Sequence, residues 1–221
     1  MGGFKNEINN IAFEQNIFSI IISHISTCCK AMQEDCLKTE NPLPKNSEDK
    51  ISNRLVEKFL DHDTKGLLGF RFTREDPVAF NVDTDTFAGR TDIQVKSTDW
   101  LSNRNAYFTI EAKRLDGTTQ LNEKYVSEGI CRFVSLPSPK YISHYGKNIM
   151  LGYVVQAINI SENTNKIDDC QRKMLTDIAI GDMVLVCDNI DGFSNYQCSY
   201  QMNNSEIELA HLFYDFSSAV E

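Results

Sequence analysis

Two short segments of this 221-residue chain indicate the centre of its fold. They are Gly-Arg-Thr-Asp-Ile-Gln-Val-Lys at residues 89–96 and Tyr-Phe-Thr-Ile-Glu-Ala-Lys-Arg at residues 107–114. Apolar and polar residues alternate in both, which is typical of strands that bury one face. One face carries the apolar side chains of Ile93, Val95, Phe108, Ile110 and Ala112. The other carries the polar side chains of Asp92, Gln94, Lys96, Tyr107, Thr109, Glu111 and Lys113. The segments therefore predict an antiparallel hairpin with one polar face.

The connecting loop predicts which residues of the hairpin pair. If the loop is centred between Leu101 and Ser102, Asp92 lies directly opposite Glu111, with Cβ atoms about 5 Å apart. Two carboxylates at that separation repel each other, whereas a divalent cation between them would turn the repulsion into binding. Carboxylates, a backbone carbonyl and water are the oxygen ligands of Mg²⁺ and Mn²⁺. The alternative is an amphipathic hairpin whose charges meet water.

Lys113 lies two residues beyond Glu111 on the same face, within reach of a metal-bound water and of a phosphate oxygen. The cation would lower the pKa of that water and neutralise charge on a phosphodiester. Three roles stay open to the lysine: orienting the nucleophile, assisting its deprotonation, or stabilising the pentacovalent transition state.

Hydrophobic periodicity predicts the elements around the hairpin. Helices are predicted over residues 11–34, 48–61, 120–135 and 162–178, and Ser47 is a good N-cap for the second. Further strands are predicted over residues 69–73, 148–158, 183–188, 196–201 and 206–216. Asn-Pro-Leu-Pro at residues 41–44 marks a linker. We expect an N-terminal helical segment over residues 1–44 and a main domain over residues 45–221, together one compact α/β (α+β) unit with a central mixed β-sheet flanked by helices.

Charge narrows the range of functions. The formal charge of −9 argues against generic coating of nucleic acid, because phosphate neutralisation dominates that kind of affinity. Seven of the eight arginines nevertheless lie between residues 54 and 132, and arginine is well shaped to hold phosphate in a bidentate manner. Their concentration beside many carboxylates favours a polyanion site that also holds a metal. The alternative is a salt-bridged surface.

Composition also predicts the compartment. The longest apolar run lies between Phe18 and Ile25 and is too short for a membrane span, and the N-terminus has no basic region or cleavage site of a signal peptide. Seven cysteines without paired spacing indicate reduced thiols. We therefore expect a cytoplasmic protein that makes no membrane contact.

Asp92 and the sequence Glu111-Ala112-Lys113 resemble the PD-(D/E)XK nucleases, the restriction-endonuclease-like superfamily, whose core hairpin carries an Asp on one strand and Glu-x-Lys on the next. The resemblance covers roughly residues 45–216. The chain departs from the pattern at Thr91, which stands in place of the proline before the Asp. It is also similar to stand-alone bacterial defence-type members, which end in a strand of the type Glu-Leu-Ala-His-Leu, found here at residues 208–212.

The resemblance implies a restriction-endonuclease-like core and a metal-dependent nuclease that hydrolyses phosphodiester bonds in DNA, as an endonuclease in bacterial anti-phage defence or restriction. Asp92, Glu111 and the backbone carbonyl of Ala112 would bind Mg²⁺ or Mn²⁺, and Lys113 would serve the water and the transition state. The family's first core helix often supplies another acidic residue, and Glu57 fits this role by its order in the chain.

The helix that follows the hairpin in this family often lends residues to the substrate. This implies phosphate contacts for Arg114, Arg132 and Tyr125. Each has a structural alternative, because the arginines can pair with Asp116 or Glu128 and a tyrosine on a helix stripe is often a core residue. Gln120 and Tyr125 are one residue too far apart for the motif of the exonuclease branch, which is therefore not supported.

Two other functions stay open. The same fold can be a catalytically inactive module that binds a partner protein, and Lys96 or Arg90 would then fill the gap between Asp92 and Glu111. The other is an RNA-cleaving toxin on the same core. Because the domain is acidic, we expect DNA capture to depend on a homodimer mate or on a partner subunit of a defence complex.

Overall fold

The computed structural model describes residues 7–61, 69–81, 86–96, 106–141, 144–202 and 205–221. Its α-helices are α1 (Glu7–Thr39), α2 (Glu48–Leu55), α3 (Thr119–Tyr125), α4 (Cys131–Val134) and α5 (Ile160–Met174). Its strands are β1 (Arg71–Arg74), β2 (Pro77–Asn81), β3 (Thr86–Arg90), β4 (Ile93–Lys96), β5 (Tyr107–Leu115), β6 (Lys147–Val154), β7 (Ala179–Ile180), β8 (Val184–Ile190), β9 (Phe193–Met202) and β10 (Ser205–Asp215).

The second helix begins where the sequence predicts. The Ser47 side chain accepts a hydrogen bond from the Lys50 backbone N–H at 3.4 Å, which satisfies one of the unpaired donors of the first turn of α2. A π-helical turn, Val56–Leu60, then continues the helix. A second π-helical turn, Val126–Ile130, joins α3 to α4. The predicted helix over residues 120–135 therefore consists of α3, the π-helical turn and α4 in succession. These three parts are here called the α3–α4 segment.

A mixed eight-stranded sheet forms the centre of the fold, as predicted. The strands lie in the order β1-β4-β5-β6-β10-β9-β7, and β8 also pairs with β9. The pairs β5–β6 and β6–β10 are parallel, and the other pairs are antiparallel. The α3–α4 segment makes the crossover between the parallel strands β5 and β6, which a tight turn cannot connect. The sequence did not predict β2 and β3, which form a separate two-stranded sheet.

Helices cover both faces of the sheet. One face meets α1 and α2 in a core that includes Phe18, Ile25, Leu55, Phe108 and Tyr153. The other meets the α3–α4 segment and α5 in a core that includes Tyr125, Phe133, Met150, Ile167 and Phe213. The helix predicted within the N-terminal segment therefore packs into the same core as the sheet. Among the described residues, no helix combines the length and the apolar character needed to cross a bilayer.

Candidate functional site

The register of the central hairpin agrees with the prediction. Ile93 pairs with Ile110 and Lys96 with Tyr107 across β4 and β5. Continued by one residue, this register places Asp92 across from Glu111, although Asp92 itself lies just before β4. The two predicted carboxylates therefore meet at the same end of the hairpin.

The two carboxylates occupy different environments. Asp92 is half-buried, and its Oδ2 accepts a hydrogen bond from the Ala112 backbone N–H at 2.8 Å. Glu111 is fully buried, on the sheet face that the α3–α4 segment covers. Burial, together with the negative charge of Asp92, raises the pKa of Glu111 to about 7. The buried carboxyl is therefore close to half-protonated at neutral pH. Any cation that approaches it would stabilise its ionised form.

Three groups contact the Glu111 carboxylate. Its Oε1 lies 2.8 Å from Lys113 Nζ and 2.7 Å from Arg132 Nη1. Its Oε2 lies 3.0 Å from the Tyr141 hydroxyl, which is itself 2.6 Å from the Arg90 carbonyl oxygen and accepts a bond from Arg132 at 2.6 Å. Lys113 and Arg132 lower the pKa of Glu111 but do not cancel the effect of burial. The centre thus combines two acidic and two basic side chains.

Lys113 stays charged in this setting. Burial by itself lowers its pKa, but the carboxylates of Glu111, Asp92 and Glu48 raise it above its ordinary value. The ammonium lies between two of them, at 2.8 Å from Glu111 Oε1 and 3.2 Å from Glu48 Oε1. An ammonium held in this way can stabilise negative charge but cannot easily give up its proton. Of its three possible roles, this geometry favours orienting the nucleophile and stabilising the transition state.

Helix α2 brings a different acidic residue to the centre, Glu48, which was not predicted from the sequence. Its Oε2 accepts a bond from the Arg114 backbone N–H at 3.2 Å, so both of its oxygens face β5. Glu57 follows nine residues later, about two and a half helical turns along, and so points to the opposite side of the helix. It is exposed and does not join the centre. Glu48 could have been recognised because it lies three residues before the buried Ile51, on the same helical stripe.

The predicted substrate residues separate into two groups. Arg132 reaches the centre through Glu111, and Arg114 lies beside it, with Nη1 bonded to the Lys45 carbonyl at 2.9 Å. Tyr125 is fully buried, and its hydroxyl is 3.0 Å from His211 Nδ1 in the core. The prediction that Tyr125 contacts substrate is therefore corrected: the helix stripe that carries it faces the sheet.

A glycine lets the α3–α4 segment pass close to the centre. A Cβ atom at Gly129 would lie 2.4 Å from Met150 Cε and 3.5 Å from Lys113 Cγ. Arg132 follows three residues later, which is one helical turn, and so reaches the same part of the sheet. From this segment Arg132 forms its ion pair with Glu111.

The residues that the inactive alternative places between the carboxylates have other partners. Lys96 Nζ is 2.5 Å from Asp76 Oδ2, and Arg90 Nη1 is 3.5 Å from Glu75 Oε2. The contacts of Glu111 come instead from Lys113, Arg132 and Tyr141.

The donor set suits a weakly held Mg²⁺ ion. Within the described ranges, no three acidic, histidine or cysteine side chains form a metal-binding group. Mg²⁺, however, keeps several waters and often binds one or two carboxylates plus substrate phosphates. Asp92 and Glu111 meet that requirement, and burial, the largest cause of the raised pKa of Glu111, favours the neutral form of that carboxyl until a cation binds beside it. Arg132 and Lys113 both contact Glu111 Oε1, so a cation at that oxygen would compete with both.

Comparison of the chain with protein-family models, with curated proteins and with solved structures finds no match.

The raised pKa of Glu111 predicts an unusual pH dependence of stability. The native carboxyl keeps its proton up to pH about 7, whereas the unfolded one loses it near 4.5. The native state thus binds more protons in this window, and its advantage is lost as pH rises through it. Without metal, wild type should lose about 3 kcal/mol of unfolding free energy relative to Glu111→Gln between pH about 4.5 and 8. Urea unfolding measures this, with the exposed Glu57→Gln as control. If the free energies of unfolding of wild type and Glu111→Gln changed in parallel with pH, the raised pKa of Glu111 would be contradicted.

Proposed function

We propose that this chain is a metal-dependent nuclease with a restriction-endonuclease-like core that hydrolyses phosphodiester bonds in DNA. The observation that carries the proposal is the meeting of Asp92, Glu111 and Lys113 at one end of the central hairpin. Two acidic groups beside a fixed ammonium are an expensive arrangement for stability alone, since burial penalises each charge. The mixed sheet with helices on both faces is compatible with the core that the resemblance implies.

Each residue of the centre has a distinct role in this proposal. Asp92 and Glu111, with the carbonyl oxygen of Ala112, would hold Mg²⁺ or Mn²⁺, which supplies Lewis acidity for a bound water and for the phosphodiester. Lys113 orients the water and stabilises charge on the phosphate in the transition state. Glu48 positions the lysine, through its contact with Nζ at 3.2 Å.

Arg132 is the residue we assign to the scissile phosphate. Its guanidinium pairs with Glu111 at 2.7 Å, and only a quarter of its side chain is exposed. Asp92 and Glu111 would hold the cation, and Arg132, if displaced from Glu111, would remain next to the centre, where its guanidinium could hold a phosphate in a bidentate manner. Arg114 lies at the edge of the same centre and would contact the flanking backbone.

The acidic balance of the chain bears on substrate capture. With a charge of −9, this chain lacks the general attraction to DNA that basic domains have. We therefore propose that a homodimer mate or a partner subunit contributes to DNA binding, within bacterial anti-phage defence or restriction in the cytoplasm. The biological setting is an analogy with the family and does not follow from the chemistry.

Plasmid cleavage tests the proposal. Wild type should nick or linearise plasmid with Mg²⁺ or Mn²⁺ and lose this activity in EDTA. Glu111→Gln should be inactive, whereas Glu57→Gln, the same exchange at an exposed position outside the centre, should cleave like wild type. Equal cleavage by Glu111→Gln and wild type would remove the assignment. Because phosphate contacts release counterions, cleavage should also weaken steeply as salt rises from about 50 to 200 mM.

A second function is favoured by one observation. Lys113, Arg132 and Tyr141 together satisfy the Glu111 carboxylate without any metal, as a catalytically inactive protein-binding module would require. In that case Mg²⁺ would neither stabilise the fold nor support cleavage. Offering RNA in the same assay separates the RNA-cleaving alternative, which predicts faster cleavage of RNA than of DNA.

A further inference from the structure

Strand β8 exposes apolar side chains on both of its faces. Eight large hydrophobic residues are exposed among the described residues, and half of them belong to this strand: Val184 at 57%, Leu185 at 47%, Val186 at 52% and Ile190 at 63%. Val184 and Leu185 pair with β9 in regular register, so their side chains point to opposite faces of the strand, and both are exposed. At this end of β8, therefore, the described residues leave both faces uncovered. Scattered exposed hydrophobics are ordinary, but a contiguous group indicates a contact surface.

One edge of β8 is also open. The strand pairs with β9, where Val184 meets Gln197 and Leu185 meets Tyr196. No other described strand pairs with it, because β7 occupies a different part of β9. The β8–β9 register is irregular between Leu185 and Cys187 and again between Cys187 and Ile190, so the regular part of the open edge is at Val184–Leu185. Backbone N–H and C=O groups on such an edge can pair with another extended chain. Side chains and backbone of β8 thus both offer contacts that the described part of the chain does not use.

The charges around β8 indicate what kind of chain fits. Residues 177–191 contain four aspartates and neither lysine nor arginine. The Asp182 side chain is 97% exposed and lies 3.6 Å from Arg172, and Asp191 pairs with Lys30 at 2.7 Å through two largely exposed side chains. Exposed ion pairs of this kind contribute little to the stability of the fold. A second copy of the strand would bring its own four aspartates against these, whereas a basic segment would complement them.

We propose that the open edge of β8 receives an extended segment of a partner protein, which is apolar at alternate positions and carries lysine or arginine between them. The segment adds to the sheet as a further strand, so that backbone hydrogen bonds give affinity and the alternate side chains give specificity. The proposal is independent of the nuclease chemistry, because β6, β10 and β9 separate β8 from the β5 centre.

Two labelled synthetic peptides test this: Lys-Val-Lys-Val-Thr-Val-Lys-Val-Lys and the same peptide with glutamate in place of lysine. Fluorescence anisotropy should show that the full-length chain binds the basic peptide at least about 10-fold more tightly than the acidic peptide. A third peptide with threonine in place of every valine keeps the charge and should bind as weakly as the acidic one. Equal affinity for the three peptides, or no binding of the basic peptide at about 1 mM, would overturn the proposal.

Variants locate the binding surface. Val184→Thr combined with Val186→Thr removes apolar surface without changing charge or β propensity, and should weaken binding of the basic peptide about 10-fold. Leu37→Gln makes a matched change at an exposed apolar residue of α1, 54% exposed, and should have no effect. Unchanged binding by the β8 variant would contradict the assignment. Sedimentation showing a dimer of the wild type that this variant dissociates would assign β8 to a second copy instead.

Discussion

Replacing Lys113 with methionine is expected to lower metal-dependent DNA cleavage by about 10³-fold while Mg²⁺ still stabilises the fold. The ammonium is 2.8 Å from Glu111 Oε1, and 94% of its side chain is buried. In the proposed mechanism it would act on the water and the phosphate and would not bind the cation. Methionine keeps the length and the apolar packing of the lysine but removes the charge. The loss should therefore fall on the chemical step.

Two measurements separate this role from metal binding. Single-turnover cleavage at pH about 8.5, where Glu111 is ionised, gives the chemical rate. Thermal unfolding with and without Mg²⁺ gives the metal-dependent stabilisation. Asp92→Asn should lose both the cleavage and the stabilisation by Mg²⁺, because it removes a proposed metal ligand. Lys124→Met, on an exposed part of α3, should keep both.

Because methionine leaves Glu111 with fewer cationic contacts, the variant will also lose stability. Lys113→Arg controls for this: it restores the charge and should fold like wild type, but it should recover only part of the rate since the guanidinium has a different shape. Cleavage by Lys113→Met at the wild-type rate would exclude the lysine from the mechanism. Loss of Mg²⁺ stabilisation together with activity would make it a structural support for the metal site.

The centre of the fold could be predicted because local rules determine it. Alternation in two short segments identifies the hairpin, and the polar face and the loop length bring Asp92 opposite Glu111. A shift by one residue would move Ile93 and Val95 out of the core with α1 and α2 and would separate Asp92 from Glu111. Ser47 likewise predicts the start of α2 through its side-chain bond to the first turn.

The partners of the centre could not be predicted, because they come from elements that only tertiary packing brings together. Order in the chain indicates that a helix contributes an acid, but the choice between Glu48 and Glu57 depends on the face of that helix. Arg132 reaches Glu111 from the α3–α4 segment, which only the packing of that segment on the sheet brings next to β5. Tyr141 follows a segment without regular structure and carries no periodic signal.

Strand β8 shows a different limit. Its apolar run predicts a strand near residues 183–188, and the structure has one at Val184–Ile190. Sequence alone would also place these side chains in the core, because apolar residues of a strand are usually buried. They are exposed because no helix of the described chain covers them. Hydrophobicity measures what a side chain prefers and does not show which molecule provides the cover.

A buried histidine on the same sheet face as Glu111, two strands away, should contribute an acid-dependent loss of stability. His211 is fully buried between the Tyr125 hydroxyl, 3.0 Å from Nδ1, and the Tyr200 hydroxyl, 3.3 Å from Nε2. Burial lowers the pKa of the histidine to about 3. The unfolded histidine takes up a proton near pH 6.5, so between these values the unfolded state binds more protons. The contribution of the neutral histidine to the free energy of unfolding is fully present above pH 6.5 and is lost as the pH falls toward 3.

This loss amounts to about 3 kcal/mol between pH about 7.5 and 4.5, and it has the opposite sign to the Glu111 effect over nearly the same window. In wild type the two contributions therefore largely cancel, and each appears only when the other is removed. Relative to wild type, His211→Gln should gain stability on acidification and Glu111→Gln should lose it. The two residues share no hydrogen-bond partner among the described residues, so the double variant should again follow the wild-type slope. Urea unfolding at three pH values measures all four proteins, and a His211→Gln slope equal to that of wild type would show that the native histidine titrates normally.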